Sequence, residues 1–278
     1  MIRLIACDLD GTLLDPEARL RQASTALLRR LWKEGIIIAL ATGRSWRTAL
    51  KIQQQLGITG PIIAHNGGYV FDPRDTHDTY RRDVPIATAS HMLQWASAHQ
   101  TMLRCYLGYR RPVIFNFFDA CHQTRFLRAE DVLLNPEANN LNVNPLEIFL
   151  FGTHQIAPFI AKFGMRGRDY ELVVFSHEDH QEINVCAPDV DKVDALQFLC
   201  HTLNIGRDSV MALGDGLNDV QMLEWSGTAI AIGDGVPECR IPAHYVTRSG
   251  SPDPVADALR WTISQGFFST LSLEQRVD

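Results

Sequence analysis

The sequence has 278 residues, 46% of them hydrophobic, so the chain can bury a substantial core in one large domain or two smaller ones. Its 26 basic and 32 acidic residues give a formal charge of −6 without a dense Lys/Arg block, which argues against a nucleic-acid partner. No apolar stretch approaches the roughly 20 residues of a membrane helix, and the first eight residues lack the long apolar region of a signal peptide. We therefore expect a cytoplasmic protein without a membrane partner.

Hydrophobic runs and turn residues predict alternating strands and helices in the first part of the chain. The predicted elements are a strand at 2–7, a helix that ends before Gly35, a strand at 36–41, a helix at 45–56 and a strand at 61–65. The same alternation returns between residues 192 and 267. Fully apolar strands that alternate with helices form parallel sheets covered on both faces. These regions therefore predict a doubly wound, Rossmann-like α/β core.

The middle of the chain has a different pattern. It contains a predicted helix at 86–99, a hairpin-like pair of apolar runs at 101–107 and 112–118, a strand at 147–152, a helix at 154–163 and a strand at 171–176. Helices mixed with antiparallel strands indicate an α+β unit. We predict a core domain made of residues 1–82 and 187–278, with an inserted α+β cap domain at residues 83–186.

Two carboxylates follow the first predicted strand, in the segment Asp8-Leu9-Asp10-Gly11-Thr12. Ligands of open α/β sheets bind at the carboxyl ends of the strands, and residues i and i+2 of an extended segment face the same side. One carboxylate can attack phosphorus, while the other protonates the leaving oxygen and later deprotonates water. The alternative is an acidic loop that only caps the following helix.

Three later segments add groups suited to phosphate chemistry. Thr42 and Gly43 lie at a predicted helix start, where free N–H groups favour an anion, although a simple Thr cap would look the same. Lys192 can neutralise a phosphoryl oxygen, although a lone Lys is usually a solvated surface group. The segment 214–219, Gly-Asp-Gly-Leu-Asn-Asp, offers hard oxygen ligands for Mg²⁺ and lacks the later Glu of a calcium loop.

These motifs, together with Asn66-Gly67 and in this order, resemble the haloacid dehalogenase-like superfamily, in particular its Cof-type phosphatases. The resemblance implies that Asp8 is the nucleophile and forms an aspartyl-phosphate, and that Asp10 is the general acid and base. It also implies a bound Mg²⁺, with Asp8, the backbone carbonyl of Asp10 and Asp215 as its ligands. The phosphoryl group would be held by Thr42, Gly43, Lys192 and Asn218. Asp219 would contact ligands of the metal without binding the metal itself, or it would orient Lys192.

Five further residues are weaker candidates for substrate contacts: Asn66, Gly67 and Arg44 in the core, and His177 and His180 near the end of the insertion. A solvated turn is the alternative for the two histidines, and a metal site is a third reading. We expect the insertion to govern substrate choice, because every predicted catalytic residue lies outside it.

The predicted function is a Mg²⁺-dependent phosphatase acting on a small phosphorylated metabolite, such as a sugar phosphate, a nucleotide or a cofactor phosphate. A phosphomutase would use the same Asp8 chemistry and return the phosphoryl group to a sugar. A non-catalytic phospho-acceptor module is a weaker alternative, because such domains are shorter and lack the Asp8/Asp10 spacing. We expect a monomer or a weak homodimer.

Overall fold

The computed structural model describes residues 1–75, 79–116, 131–133, 141–152, 154–176 and 181–268. The chain divides into two compact units, Met1–Tyr80 with Asp191–Asp278, and Arg81–Val190. The boundaries predicted from the sequence lie a few residues from these limits. Among the described residues, no helix has the length and apolar character needed to cross a membrane.

The secondary structure of the described residues is as follows. The strands are β1 (Leu4–Cys7), β2 (Ile37–Ala41), β3 (Ile62–Ala64), β4 (Tyr69–Phe71), β5 (Tyr80–Arg81), β6 (Leu103–Tyr106), β7 (Val113–Phe115), β8 (Val132–Leu133), β9 (Glu147–Gly152), β10 (Glu171–Ser176), β11 (Gln181–Cys186), β12 (Val210–Gly214), β13 (Thr228–Ala231) and β14 (Tyr245–Val246). The helices are α1 (Gln22–Lys33), α2 (Trp46–Leu56), α3 (Ile86–Ala98), α4 (Ile156–Phe163), α5 (Lys192–Thr202), α6 (Val220–Trp225) and α7 (Pro254–Ser264).

The first unit is built on a sheet with the strand order β14-β13-β12-β1-β2-β3-β4-β5. The strands from β14 to β3 run parallel, and β4 pairs antiparallel with β3. Alternate residues of the central strands enter two separate apolar clusters, because successive side chains of a strand point to opposite faces. In β1, Ile5 and Cys7 enter one cluster, and Leu4 and Ala6 enter the other. The helices α1, α2 and α7 contribute to the first cluster, and α5 and α6 to the second. The predicted doubly wound α/β core is confirmed.

The second unit has a mainly antiparallel sheet with the order β10-β11-β9-β6-β7-β8, in which only the pairing of β7 with β8 is parallel among the described strands. Its apolar cluster combines α3 and α4 with one face of the sheet, including Leu103, Ile148 and Leu150. The predicted hairpin exists as β6 and β7, and the α+β class is confirmed. Strand β11 was not predicted, although its alternation of polar and apolar residues is the pattern of a strand buried on one face.

Candidate active site

Loops that follow neighbouring strands supply the side chains of the site in the first unit. Asp8 follows β1, Thr42 follows β2, Asp215 follows β12, and the turn His65–Gly67 follows β3. The strands β12, β1, β2 and β3 are adjacent and parallel, so their carboxyl ends lie along one edge of the sheet. This edge is where open α/β sheets bind ligands.

Lys192 lies at the start of α5, between two carboxylates. Its Nζ donates to Asp8 Oδ1 and to Asp219 Oδ1, at 2.7 Å in each case. The Lys192 side chain has no exposed surface, and the two carboxylates are almost as deeply buried. A buried ammonium is tolerated only with such partners, so this arrangement fixes the charged group of Lys192 beside Asp8.

Burial and neighbouring charges shift the pKa values of Asp8 and Lys192. Burial raises the pKa of the Asp8 carboxyl from its usual value to about 8, outweighing the opposite effect of Lys192, and the negative charges of Asp219 and Asp215 add to the increase. For Lys192, burial lowers the pKa, but the charges of Asp8 and Asp219 raise it more, so the pKa of the ammonium lies above its usual value. Asp8 therefore needs more positive charge nearby than Lys192 provides if it is to react as a carboxylate.

Asp215 contributes a third carboxyl group, oriented by Thr12. The Thr12 hydroxyl is fully buried and donates to Asp215 Oδ1 at 2.7 Å. Burial raises the pKa of Asp215, although hydrogen bonds from Thr12 and with Asp8 oppose the shift. Two carboxyl groups in contact require a shared proton or a cation between them. Sequence reasoning assigned no role to Thr12, although it belongs to the same pentapeptide as Asp8.

The carboxyl groups fit a divalent cation. Oxygen atoms of Asp8, Asp215 and Asp219 lie within 4.8 Å of one another, and three carboxyl groups face one ammonium. Mg²⁺ prefers oxygen ligands. The oxygens of Asp219 are already engaged, since Oδ1 accepts from Lys192 and Oδ2 accepts from the backbone N–H groups of Asp215 and Gly216, each at 3.0 Å. Asp8 and Asp215 are therefore the carboxylates best placed to bind the cation, and Asp219 orients Lys192 and the loop of Asp215.

Asp10, the predicted acid and base, forms an ion pair with Arg44. The guanidinium makes a two-pronged contact, from Nε to Oδ2 at 2.7 Å and from a terminal nitrogen to Oδ1 at 2.5 Å. The Asp10 side chain is 57% exposed, in contrast to the buried Asp8. The candidate substrate contact Arg44 thus holds the carboxylate of Asp10 at the solvent-facing side of the site.

The remaining predicted phosphate-binding residues lie close to Asn66. Asn218 Nδ2 donates to Asn66 Oδ1 at 2.9 Å, and the backbone N–H of Asn66 donates to the backbone carbonyl of Thr42 at 3.1 Å. A Cβ atom on Gly43 would lie 2.8 Å from Asn66 Oδ1. The structure therefore brings Thr42, Gly43, Asn66 and Asn218 together. The other two candidates, His177 and His180, lie outside the described residues.

Gly11 permits the turn that brings Thr12 to Asp215, and replacing it should impair the site. Its φ is +76°, and a side chain there would collide with the carboxylate of Asp215. We expect Gly11→Ala to lower kcat/KM about 100-fold, the order of loss caused by displacing a reacting group by about 1 Å.

The matched control for this substitution is Gly266→Ala. Gly266 has nearly the same φ, +73°, but open space around its Cβ position. Both variants carry a backbone strain of about 1–2 kcal/mol, so equal melting temperatures with unequal kcat/KM would isolate the collision with Asp215. Equal kcat/KM values for the two variants would contradict the predicted role of this turn.

The chain is similar to proteins that are already known. The chain matches the haloacid dehalogenase-like hydrolase family over residues 5–259. The Bacillus subtilis protein named 5-amino-6-(5-phospho-D-ribitylamino)uracil phosphatase YitU is 23% identical over 269 residues, which cover 92% of this chain and 96% of the relative. The Escherichia coli pyridoxal phosphate phosphatase YbhA is 25% identical over 264 residues, covering 91% and 96%.

Solved structures share the fold. The crystal structure of a haloacid dehalogenase-like hydrolase from Bacteroides thetaiotaomicron superposes with a TM-score of 0.77 at 22% identity, covering 94% of this chain and 99% of that one. The chain therefore belongs to the haloacid dehalogenase-like hydrolase family, and its assignment to the Cof-type phosphatases of that superfamily is confirmed.

Proposed function

We propose that this enzyme is a Mg²⁺-dependent phosphatase that hydrolyses a small phosphorylated metabolite through an aspartyl-phosphate on Asp8. The observation that carries the proposal is the carboxyl group of Asp8 at the end of β1, held by Lys192 and in contact with Asp215. The names of the two relatives describe phosphorylated small molecules as their substrates, which supports the same substrate class here. A cytoplasmic location belongs to this proposal.

In the first half of the reaction, a carboxylate oxygen of Asp8 attacks phosphorus. The new bond from Asp8 to phosphorus forms as the bond between phosphorus and the ester oxygen breaks. Asp10 donates its proton to that leaving oxygen, so the dephosphorylated metabolite departs as a neutral alcohol. In the structure Arg44 pairs with the ionised carboxylate of Asp10, so Asp10 must leave this ion pair and take up a proton before it acts as the acid.

In the second half, Asp10 acts as the base. It takes a proton from a water molecule whose oxygen attacks phosphorus, and the bond between phosphorus and the Asp8 oxygen breaks. Orthophosphate leaves, Asp8 is again a carboxylate, and Asp10 again carries a proton for the next cycle. One residue serves both steps because each step leaves it in the protonation state that the next step needs.

Positive charge makes the approach of one anion to another feasible. Lys192 supplies a fixed charge beside Asp8, and Thr42, Gly43 and Asn218 would hold the phosphoryl oxygens. When bound by Asp8, Asp215 and the backbone carbonyl of Asp10, Mg²⁺ would add the charge that Lys192 alone does not provide. We further propose that the predicted cap domain, residues 83–186, sets the choice of metabolite.

A phosphate-release assay tests the proposed reaction. The panel consists of sugar phosphates, nucleotides, flavin mononucleotide and pyridoxal phosphate, assayed with Mg²⁺ and with EDTA and without any acceptor sugar. We expect orthophosphate release that EDTA abolishes. Phosphoryl transfer that occurs only when an acceptor sugar is added would instead identify a phosphomutase.

Mg²⁺ should also stabilise the folded protein through Asp215. At about 100 times its Kd, a ligand of the native state stabilises it by about 2.7 kcal/mol, which raises the melting temperature of the wild type. Asp215→Asn should lose most of this increase, because the amide keeps the acceptor for Thr12 and removes the charge. Calorimetric melting with Mg²⁺ and with EDTA measures both proteins.

The pH dependence of the Mg²⁺ effect and a control variant test the metal assignment further. The pKa of Asp8 and that of Asp215 are raised, and a cation binds their ionised forms, so the effect of Mg²⁺ should grow as the pH rises from about 6 to about 8. Asp208→Asn, at an exposed residue before the opposite end of β12, should respond like the wild type. A Mg²⁺ effect in Asp215→Asn as large as in the wild type would show that the metal site is wrongly assigned.

A further inference from the structure

We propose that the turn His65–Gly67 fixes the relative positions of three separate phosphate-binding elements, and that Asn66 is a positioning residue rather than a substrate contact. The three elements are the loop 42–44, the residue Asn218 and the start of α5 with Lys192. This inference rests on the proposed function, because it assigns a role within the phosphate site.

The backbone of the turn is bonded to the loop after β2. The backbone N–H of His65 donates to the carbonyl of Arg44 at 3.0 Å, and the backbone N–H of Asn66 donates to the carbonyl of Thr42 at 3.1 Å. The buried imidazole of His65 accepts at Nε2 from the Trp46 amide, the first N–H of α2, at 3.2 Å. Two hydrogen bonds therefore hold the loop 42–44 against this turn, and a third holds the start of α2.

The Asn66 side chain connects the same turn to Asn218. Its Oδ1 accepts from Asn218 Nδ2 at 2.9 Å, and the same oxygen lies where a side chain at residue 43 would have to go. Asn218 itself is exposed, so packing does little to hold its side chain, and this hydrogen bond gives its amide a defined direction. Through Oδ1, Asn66 can therefore act on the phosphate site by way of Asn218 and Gly43.

Gly67 brings the turn against the third element. A Cβ atom at this position would collide with the carbonyl oxygen of Asp191 and lie 2.8 Å from the backbone nitrogen of Lys192. The absence of a side chain therefore allows the turn to pack directly on the peptide that begins α5. The position of Lys192 along its helix axis depends on this contact.

The backbone of the turn is strained, which fits a role in positioning. His65, Asn66 and Gly67 have φ values of +53°, +55° and +102°, a region that non-glycine residues rarely adopt and that Asn tolerates better than most. Such strain persists only where the surrounding contacts determine the conformation, and it is common at functional sites. Here the surrounding contacts are those with the three phosphate-binding elements.

A double-mutant cycle of Asn66→Gly and Asn218→Ala tests this inference. Glycine accepts the φ of residue 66 and removes only the side chain. The readouts are the inhibition constant of inorganic phosphate against p-nitrophenyl phosphate hydrolysis, and the dissociation constant of orthovanadate by calorimetry. We expect each single variant to weaken phosphate binding about 5- to 10-fold, and the double variant to be no weaker than the worse single variant.

If Asn66 and Asn218 contacted phosphate independently, their fold-losses in affinity would multiply, and the double variant would bind phosphate about 25- to 100-fold more weakly. This result would overturn the inference. Unchanged phosphate binding in Asn66→Gly would also overturn it. The matched control is Asn204→Gly, because Asn204 has a φ of +52° and lies exposed beyond the far end of α5. It should bind phosphate as the wild type does.

This inference and the proposed function can fail separately. A wild-type protein without phosphatase activity would refute the proposed function. An active wild type, in which the loss in the double variant is the product of the two single losses, would refute only this inference.

Discussion

Asp8→Asn is expected to reduce turnover by roughly 10⁴- to 10⁶-fold, the range seen when a single catalytic residue of a hydrolase triad is removed. The amide has the same shape as the carboxylate, and its oxygen can still accept the hydrogen bond from Lys192, so the fold should persist. It lacks the negative charge needed to attack phosphorus. The variant should therefore fail to form the covalent phosphoenzyme as well as to release phosphate.

Two measurements check this result. Phosphate release gives the loss in kcat, and mass spectrometry of acid-quenched enzyme detects the phosphorylated peptide that contains residue 8 in the wild type. The same spectra exclude deamidation of the introduced Asn. Asp208→Asn makes the identical chemical change at an exposed residue and should retain full activity. Near-normal turnover in Asp8→Asn would refute the covalent mechanism.

The parallel core was predictable because its strands are apolar at every position. In β1 and β12 both faces are covered by helices, so the sequence shows an unbroken apolar run, and the length and flanking turns distinguish it from a helix. The short strand β4 was not predicted, because its three residues follow Gly67 and Gly68 and are too few to show a repeating pattern of apolar residues. Its pairing with β3 depends on the turn between them, whose backbone conformation is set by tertiary contacts.

The place of three candidate residues at one edge of the sheet was predictable because each directly follows a strand. Asp8, Thr42 and Asp215 each follow an apolar run, so the carboxyl ends of parallel strands bring them together. The pairs that complete the site are distant in sequence: Thr12 bonds to Asp215 across 203 residues, and Asn66 to Asn218 across 152. Each partner alone resembles an ordinary cap or turn residue, because its function arises only from the partner that folding supplies.

Lys192 shows the same limit most clearly, since a single Lys in a sequence usually lies in solvent. From the sequence, the alternative to a phosphate ligand is a solvated surface Lys, which could be removed without effect on folding. The structure changes this expectation. Because Lys192 is buried between Asp8 and Asp219, its removal leaves two buried carboxyl groups without a counter-charge. Loss of one partner from such a buried group typically costs about 3–5 kcal/mol.

Lys192→Met should therefore lose both activity and stability, with a pH dependence that identifies the cause. Without the ammonium, the pKa of Asp8 rises further above its unfolded value, because the influence that opposed burial is gone. The native state then binds more protons than the unfolded state between those two values, so its stability falls as the pH rises. The wild type shows the same loss up to the pKa of its own Asp8, about 8, so the extra deficit of the variant appears only above that pH. Urea unfolding in EDTA should therefore show a larger deficit at about pH 9.5 than at about pH 6.

Two comparisons separate charge from packing in this experiment. Lys51→Met makes the same change at an exposed residue of α2 and should leave stability within about 0.5 kcal/mol of the wild type at either pH. Adding Asp219→Asn to Lys192→Met removes one uncompensated carboxylate and should restore part of the lost stability at the higher pH. A deficit that is independent of pH, and that Asp219→Asn does not reduce, would mean that Lys192 stabilises the protein through the packing of its methylene groups. The ion pairs with Asp8 and Asp219 would then not be the reason why this lysine is buried.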